Sequence, residues 1–373
     1  MDRRHFFRGG LFGLAPFALA TLLKQEQASA KPIKPNLQPR DFTLQDRPPH
    51  FQPRARAMIS LFMQGGPSQV DLLDPKPMLS RYHGTTPPAE VDDDEDRTKY
   101  LLGSPFSFRR YGESGLEFSE VMSGVAAHAD DIAVVRSMFT EHRNHEQAIW
   151  MANTGLIRPG RPNIGSWAAY GLGSETDDLP AYIALPDPVG LPVDGVRNWS
   201  SGWLPPIYQG TAFRSQGVPV LHLKPSTSRT EAVSRGRLGL LQALNKKHLR
   251  TRPGELELEA RIAAYELAGR MQVSAPELND LSKESASTIE AYGLNRPEPK
   301  GIGGRGKSGE TYKDFARNCL LARRMVERGV RFINIIHASW DHHSNLDPEL
   351  KYNAGAVDQP IAALIKDLKE RGL

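Results

Sequence analysis

Short, continuous apolar runs recur along the chain, separated by stretches with helical spacing. "MISLFM" (Met58 to Met63), "DIAVVRSM" (Asp131 to Met138), "YIAL" (Tyr182 to Leu185), "VLHL" (Val220 to Leu223) and "RFINIIH" (Arg331 to His337) each read as a buried strand. A strand covered on both faces carries no polar alternation, and the first run ends in a "QGGPS" turn signal. Tyr312, Phe315, Cys319, Ala322 and Val326 recur at steps of three and four, and Gly329 stands where a helix ends. The last helical stretch places Val357, Ile361, Leu364 and Leu368 on one face, with Gly372 at its end. A longer helical stretch, Thr230 to Val273, interrupts the alternation and reads as a cap or insertion over about residues 229–290. Alternating strands and helices predict an α/β fold with a mostly parallel sheet. Ligands of such folds gather beyond the carboxyl ends of the strands.

With 373 residues, 39% of them hydrophobic, the chain can bury a genuine core. Its 47 basic and 43 acidic residues are dispersed, without a basic stripe interleaved with aromatics, so nucleic acid is not an expected partner. The single cysteine, Cys319, lies among Phe315, Leu320 and Leu321 and reads as a small buried hydrophobe. An intrachain disulfide is excluded.

The N-terminus adds a compartment. Arg3 and Arg4 precede Phe6 and Phe7, a modest apolar run from Leu11 to Leu23, and "ASA" at Ala28 to Ala30. Residues 1–30 read as a signal handed to the twin-arginine export machinery, giving a periplasmic or secreted protein. The apolar run is short for the ~20 residues of a membrane-spanning helix, so no stable span is expected. Residues 31–54, rich in proline and polar side chains, read as an extended lead-in to a domain over residues 55–373.

Two motifs invite chemistry and fail on context. "GIGGRGKS" (Gly301 to Ser308) satisfies the phosphate-cradling pattern G-x-x-x-x-G-K-[ST], but the polar, proline-broken "YGLNRPEPK" before it is no strand. It reads as a glycine-rich loop, with nucleotide binding a third-ranked function. "VDDDEDR" near Asp92 matches no calcium-loop spacing and reads as a solvated acidic loop.

The strand ends carry more. Asp71 and Asp74 follow the first strand, Asp341, His342 and His343 follow the last, and "RSMFTEHRNHEQA" adds Ser137, Thr140, His142 and His145. Mixed carboxylate and imidazole donors suit a transition-type divalent ion, which can bind an ester oxygen and acidify water.

Several segments carry a resemblance: "SLFMQGGPSQVDLLDPKP", "VVRSMFTEHRNHEQAIWMANTG", "RPGRPNIGSWAAYGLGSE", "FARNCLLARRMVERGVRFINI" and "WDHHSN". Together they resemble the secreted DUF1501 family, related to the alkaline phosphatase and sulfatase superfamily. The resemblance implies an alkaline-phosphatase-like, doubly wound, mostly parallel sheet, incomplete at the C-terminus, and a two-metal centre of zinc, manganese, calcium or iron. Its implied substrate is a phosphate or sulfate ester, polysaccharide-derived esters included. Carried over residue by residue, Asp71, Asp341 and His343 are the expected metal ligands, and His342, at a variable position, is a further candidate ligand ranked after them. His145 matches an "NH" element with no assigned role. Thr140 is the implied nucleophile and Ser137 the alternative; neither lies in a sulfatase-type C/S-x-P-x-R motif, and Cys319, mid-helix, cannot be a formylglycine precursor. The family pattern continues into "GEFGRTP"-like and "RDH"-like motifs that this sequence lacks. The expectation is therefore a truncated chain holding half a site. A non-catalytic secreted binding or structural protein is the alternative from a different functional class.

Overall fold

The computed structural model describes residues 42–88, 99–214, 216–217, 219–220, 231–252, 254–299 and 309–373. The chain divides into residues 1–42 and 43–373, and the fold below belongs to the second unit. The export signal, the acidic run near Asp92 and the glycine-rich loop at 301–308 lie outside the described residues. Residues 43–57 contain neither helix nor strand. No helix among the described residues is long and apolar enough to cross a membrane.

Four strands form one sheet in the order β1 (Met58–Met63), β6 (Phe332–His337), β4 (Tyr182–Leu185), β5 (Thr211–Ala212), every neighbouring pair parallel. The register pairs Met63 with His337 and Leu185 with Ile335, so these strands finish at the same edge. A separate antiparallel hairpin joins β2 (Phe108–Tyr111) to β3 (Leu116–Ser119). The protein is thus mixed α/β with a parallel sheet.

Successive residues of β6 point to opposite faces, and both faces are covered, which is why this strand has no polar alternation. Ile333 and Ile335 join the larger core with Leu320 and Leu321 of helix α9 (Thr311–Val326). Val357, Ile361 and Leu364 of α10 (Leu346–Arg371) lie in the same core, and Leu368 packs against it, as their spacing predicts. Phe332 and Ile336 face the other way, in a smaller core with Tyr182, Ala184 and Trp199. Ala168 of α5 (Ile164–Leu172) packs there. Helix α9 closes at Gly329, whose amide donates to Val326 O, and the chain turns directly into β6. Cys319 is fully buried, and that burial pushes its thiol well above the ordinary thiol range.

Two expected strands differ. Asp131–Met138 is no strand; Ile132 packs against the core, while Val135 and Met138 lie open, Met138 80% exposed. Apolar composition marks a strand only where a partner edge is available, and this segment pairs with none. Residues 221–223 of "VLHL" lie outside the described residues. The predicted helical stretch is two helices, α6 (Glu231–Arg250) and α7 (Leu256–Asn279).

Candidate functional site

Because β1 and β6 are parallel neighbours, the loops that leave them meet. Trp340 N donates to Gln64 O at 3.0 Å, and the buried Trp340 ring donates through Nε1 to His337 Nδ1 at 2.8 Å. Gly65 has φ +106°, and a Cβ there would lie 2.5 Å from Asp341 N. Only glycine permits this approach. Gly65→Ala is therefore expected to destabilise the fold by about 1–3 kcal/mol and to push Asp341 outward. An unchanged urea midpoint in that variant would show that the loops do not pack this way.

The last loop is held in place from α10. Ser339 has φ +70° and Asn345 φ +52°, so uncommon backbone flanks the "WDHH" segment on both sides. Buried Asn353 donates to Ser339 O at 2.6 Å and lies 3.1 Å from His342 Nε2. The segment between presents Asp341 and His343 to a cleft of about 560 Å³, lined also by Ser339, Ser344 and Glu349.

A third residue arrives from elsewhere. Helix α4 (His145–Thr154) begins at His145, with Asn144 as its N-cap. Asp341 Oδ2 lies 3.0 Å from His145 Nε2 and 2.7 Å from His343 Nε2. Partial burial pushes the Asp341 carboxyl up, but the hydrogen bonds from His343 and His145 outweigh it and hold the group below its usual range. A carboxylate between two imidazoles can orient either ring as a proton acceptor.

The sequence matches the family described as "Protein of unknown function (DUF1501)" over residues 55–373. The chain belongs to that family. No curated protein and no solved structure matches it.

In this DUF1501 chain, the other site expectations distribute differently. Asp71 is buried in the short helix Gln69–Leu72 that follows β1 and accepts a hydrogen bond from Ser68 Oγ at 2.5 Å. It makes no hydrogen bond to the Asp341 cluster. Asp74 pairs with Lys76 at 2.6 Å and Arg136 at 3.5 Å. His342 turns inward to Asn353, and burial lowers its pKa. Thr140 Oγ1 accepts from His142 N at 3.4 Å within its own turn, and His142 Nδ1 accepts from Asn144 N at 3.2 Å. Ser137 and Thr140 are both exposed, and neither hydroxyl bonds to Asp341, His145 or His343.

The donor set of His145, Asp341 and His343 is chemically suited to a zinc-type ion, with Glu349 on the same cleft. As positioned, both imidazoles are spent on Asp341. Among the described residues no group of three or more His, Cys, Asp or Glu is arranged as a metal site. Ligation would require each Nε2 to give up its proton and turn its lone pair outward.

Three residues at this end carried no local sequence signal. Asp187, buried just after β4, accepts from Ala338 N at 2.8 Å and from Val189 N at 2.9 Å, tying the β4 and β6 loops together. Asn353 is the second. His337 is the third: its Nε2 is buried without a partner among the described residues, as are Gln64 Oε1 and His342 Nδ1. Orphaned polar atoms are rare in cores, and here they sit on the segments carrying the cluster.

Burial depresses the His337 pKa below its ordinary value of 6.5, against the opposing pull of Asp187. The folded state then binds fewer protons at this ring than the unfolded state, so its contribution to stability is lost as pH falls below 6.5. Urea unfolding is expected to show lower stability at pH about 5.5 than at about 7.5, with a shallower dependence in His337→Gln. An equal dependence in both proteins would contradict the assignment.

Proposed function

We propose that this protein is an exported metal-dependent hydrolase of phosphate or sulfate esters, built on an alkaline-phosphatase-like sheet. The observation that carries the reading is the convergence of His145 and His343 on one oxygen of Asp341 beyond the carboxyl end of a central parallel strand. Asp341, His343 and His145 hold a divalent ion, zinc or manganese before calcium on this donor set. Such an ion supplies Lewis-acid stabilisation of the charge that develops on the ester. The attacking hydroxyl comes from the segment that leads into His145, Thr140 first and Ser137 second. Asn353 and Asp187 fix the loop that presents Asp341. His342, turned toward Asn353, supports that loop rather than the ion. Asp71, on the short helix after β1, joins as a further ligand once it releases Ser68 Oγ, and twin-arginine export delivers the protein to the periplasm or beyond.

The test is turnover of p-nitrophenyl phosphate and p-nitrophenyl sulfate by the purified chain with and without added zinc or manganese. Metal-stimulated release of p-nitrophenol is the expected result, and none from either ester would remove the hydrolase reading. One observation favours a second reading: the two imidazoles satisfy Asp341 without any ion. On that reading the protein is a secreted binding protein whose cluster is only a structural clasp.

A further inference from the structure

A second cleft, of about 470 Å³, opens at the other end of α4. Trp150, Thr154, Arg161, Arg197, Ser200 and Trp203 line it. Its walls are tied together before any ligand arrives. Asn153 Nδ2 on α4 donates to Asn198 Oδ1 at 3.2 Å, and buried Asn198 donates back to Val193 O at 2.7 Å. Gly202, at φ +54°, lies so close to the opposite wall that a Cβ would sit 2.4 Å from Arg161 C. That contact sets the neighbouring Trp203 beside Arg161.

The chemistry of the lining is one-sided. Trp203 is 63% exposed, yet its ring is fixed edge-to-face on Trp167 at 5.2 Å and 78°. Trp167 stacks in turn on Tyr170 at 6.0 Å. Water therefore meets one open face of an aromatic ring that its neighbour holds in place, a surface on which an apolar face can be laid. Trp150 Nε1 is buried with no acceptor among the described residues. Arg161 makes no ion pair among the described residues, and Arg197 meets only Asp194, at 3.2 Å, while remaining 63% exposed. The Thr154 hydroxyl is already donated to Trp150 O at 2.8 Å, and Ser200 Oγ accepts from Gly202 N at 3.0 Å. Among the described residues no carboxylate lines the cleft, and the nearest to its cations is Asp194 behind Arg197. What remains is an aromatic face ringed by donors: one indole N–H, the Arg161 guanidinium and the part of the Arg197 guanidinium that Asp194 does not hold.

A ligand matching this must have an apolar face and a rim of acceptors carrying negative charge. A hydroxylated sugar ring has that build, with axial C–H groups on its face and oxygens around its edge. Guanidinium groups recognise carboxylate or sulfate in a planar, two-pronged fashion that ammonium cannot. We propose that this cleft binds an anionic carbohydrate, its ring laid on Trp203 and its carboxylate or sulfate held by Arg161 and Arg197. His145 and Trp150 are five residues apart on α4, about 7.5 Å along its axis, so a saccharide seated here lies within a few sugar rings of Asp341. The binding itself does not rest on the hydrolase reading.

The experiment is calorimetric titration of the full chain with a sulfated tetrasaccharide, a uronic-acid tetrasaccharide, a neutral tetrasaccharide and inorganic sulfate. Saturable binding of either anionic tetrasaccharide is expected, at least about tenfold tighter than the neutral one and than inorganic sulfate. Trp203→Ala and Arg161→Ala should each weaken it by about tenfold or more, with Trp203→Tyr retaining most of the affinity. Arg110→Ala, an exposed cation far along the sequence on β2, and Asp341→Ala should leave it unchanged. Retained affinity in Asp341→Ala separates this site from the ester chemistry. Absence of binding, binding indifferent to Trp203 and Arg161, or equal binding of inorganic sulfate would overturn the proposal.

Discussion

Asp341→Asn is expected to lower metal-dependent turnover of p-nitrophenyl esters by more than about 100-fold, the largest functional effect of any single change in this chain. Asparagine keeps the shape of the side chain and one acceptor oxygen while removing the charge. The two imidazoles that converge on Oδ2 lose their common anion, and the ion proposed for this cluster would lose the carboxylate at its centre. Folding should barely register the change, because the Asp341 side chain is 41% exposed and ion pairs at such positions are worth under ~1 kcal/mol. A collapse of turnover at nearly constant urea midpoint is the expected signature. Retained turnover would move the chemistry away from this cleft.

The largest effect on stability is expected at Arg323. Its side chain is only 3% exposed and pairs with Glu284 at 2.6 Å, Glu327 at 2.7 Å and Asp367 at 3.0 Å. Arg324, its neighbour, also reaches Glu284 and donates to Glu277 O at 2.7 Å. These contacts join α9 to α10 and to the segment after α7. Arg323→Ala should cost about 3 kcal/mol, since it removes a buried side chain and leaves Glu284 to Arg324 alone and Glu327 and Asp367 to share Arg371. Lys351→Ala, which removes an exposed pair with Asp347 on α10, should cost no more than ~0.5 kcal/mol. Equal urea midpoints for the two variants would refute the network's structural role.

Arg323 also marks where reading the sequence stops. The apolar spacing from Tyr312 to Val326 reveals the helix, but two adjacent arginines within it read as solvated charge. Their partners Glu284 and Asp367 lie about 40 residues away on either side, and no local pattern announces them. β1, β4, β6 and α9 were legible because covering a parallel strand on both faces leaves a continuous apolar run, and covering one side of a helix leaves a stripe. Ile132 to Met138 carries the same apolar signal without becoming a strand, because a strand is completed by a neighbour's edge and not by its own composition. β5, two residues long, is too short for any periodicity.

The candidate site was legible in part: Asp341 and His343 were named at the end of a strand that forms, whereas His145 was named without a role after a run, Asp131–Met138, that forms none. The partition of the histidines was not legible. His342 and His343 are adjacent in sequence, yet one turns to Asn353 and the other to Asp341, a choice set by the backbone at Ser339 and by a helix residue ten or more positions away. Asp187 and Asn353 are single polar residues in apolar surroundings, and only the folded chain shows which backbone groups they hold.

The central claim is that His145, Asp341 and His343 together hold a divalent ion, and zinc titration by calorimetry at pH about 7.5 tests it most directly, because neutral imidazole is then available for ligation. Saturable uptake that is lost in Asp341→Asn, in His343→Ala and in His145→Ala alike is the predicted result. Absence of saturable uptake, or uptake that survives all three substitutions, would contradict it.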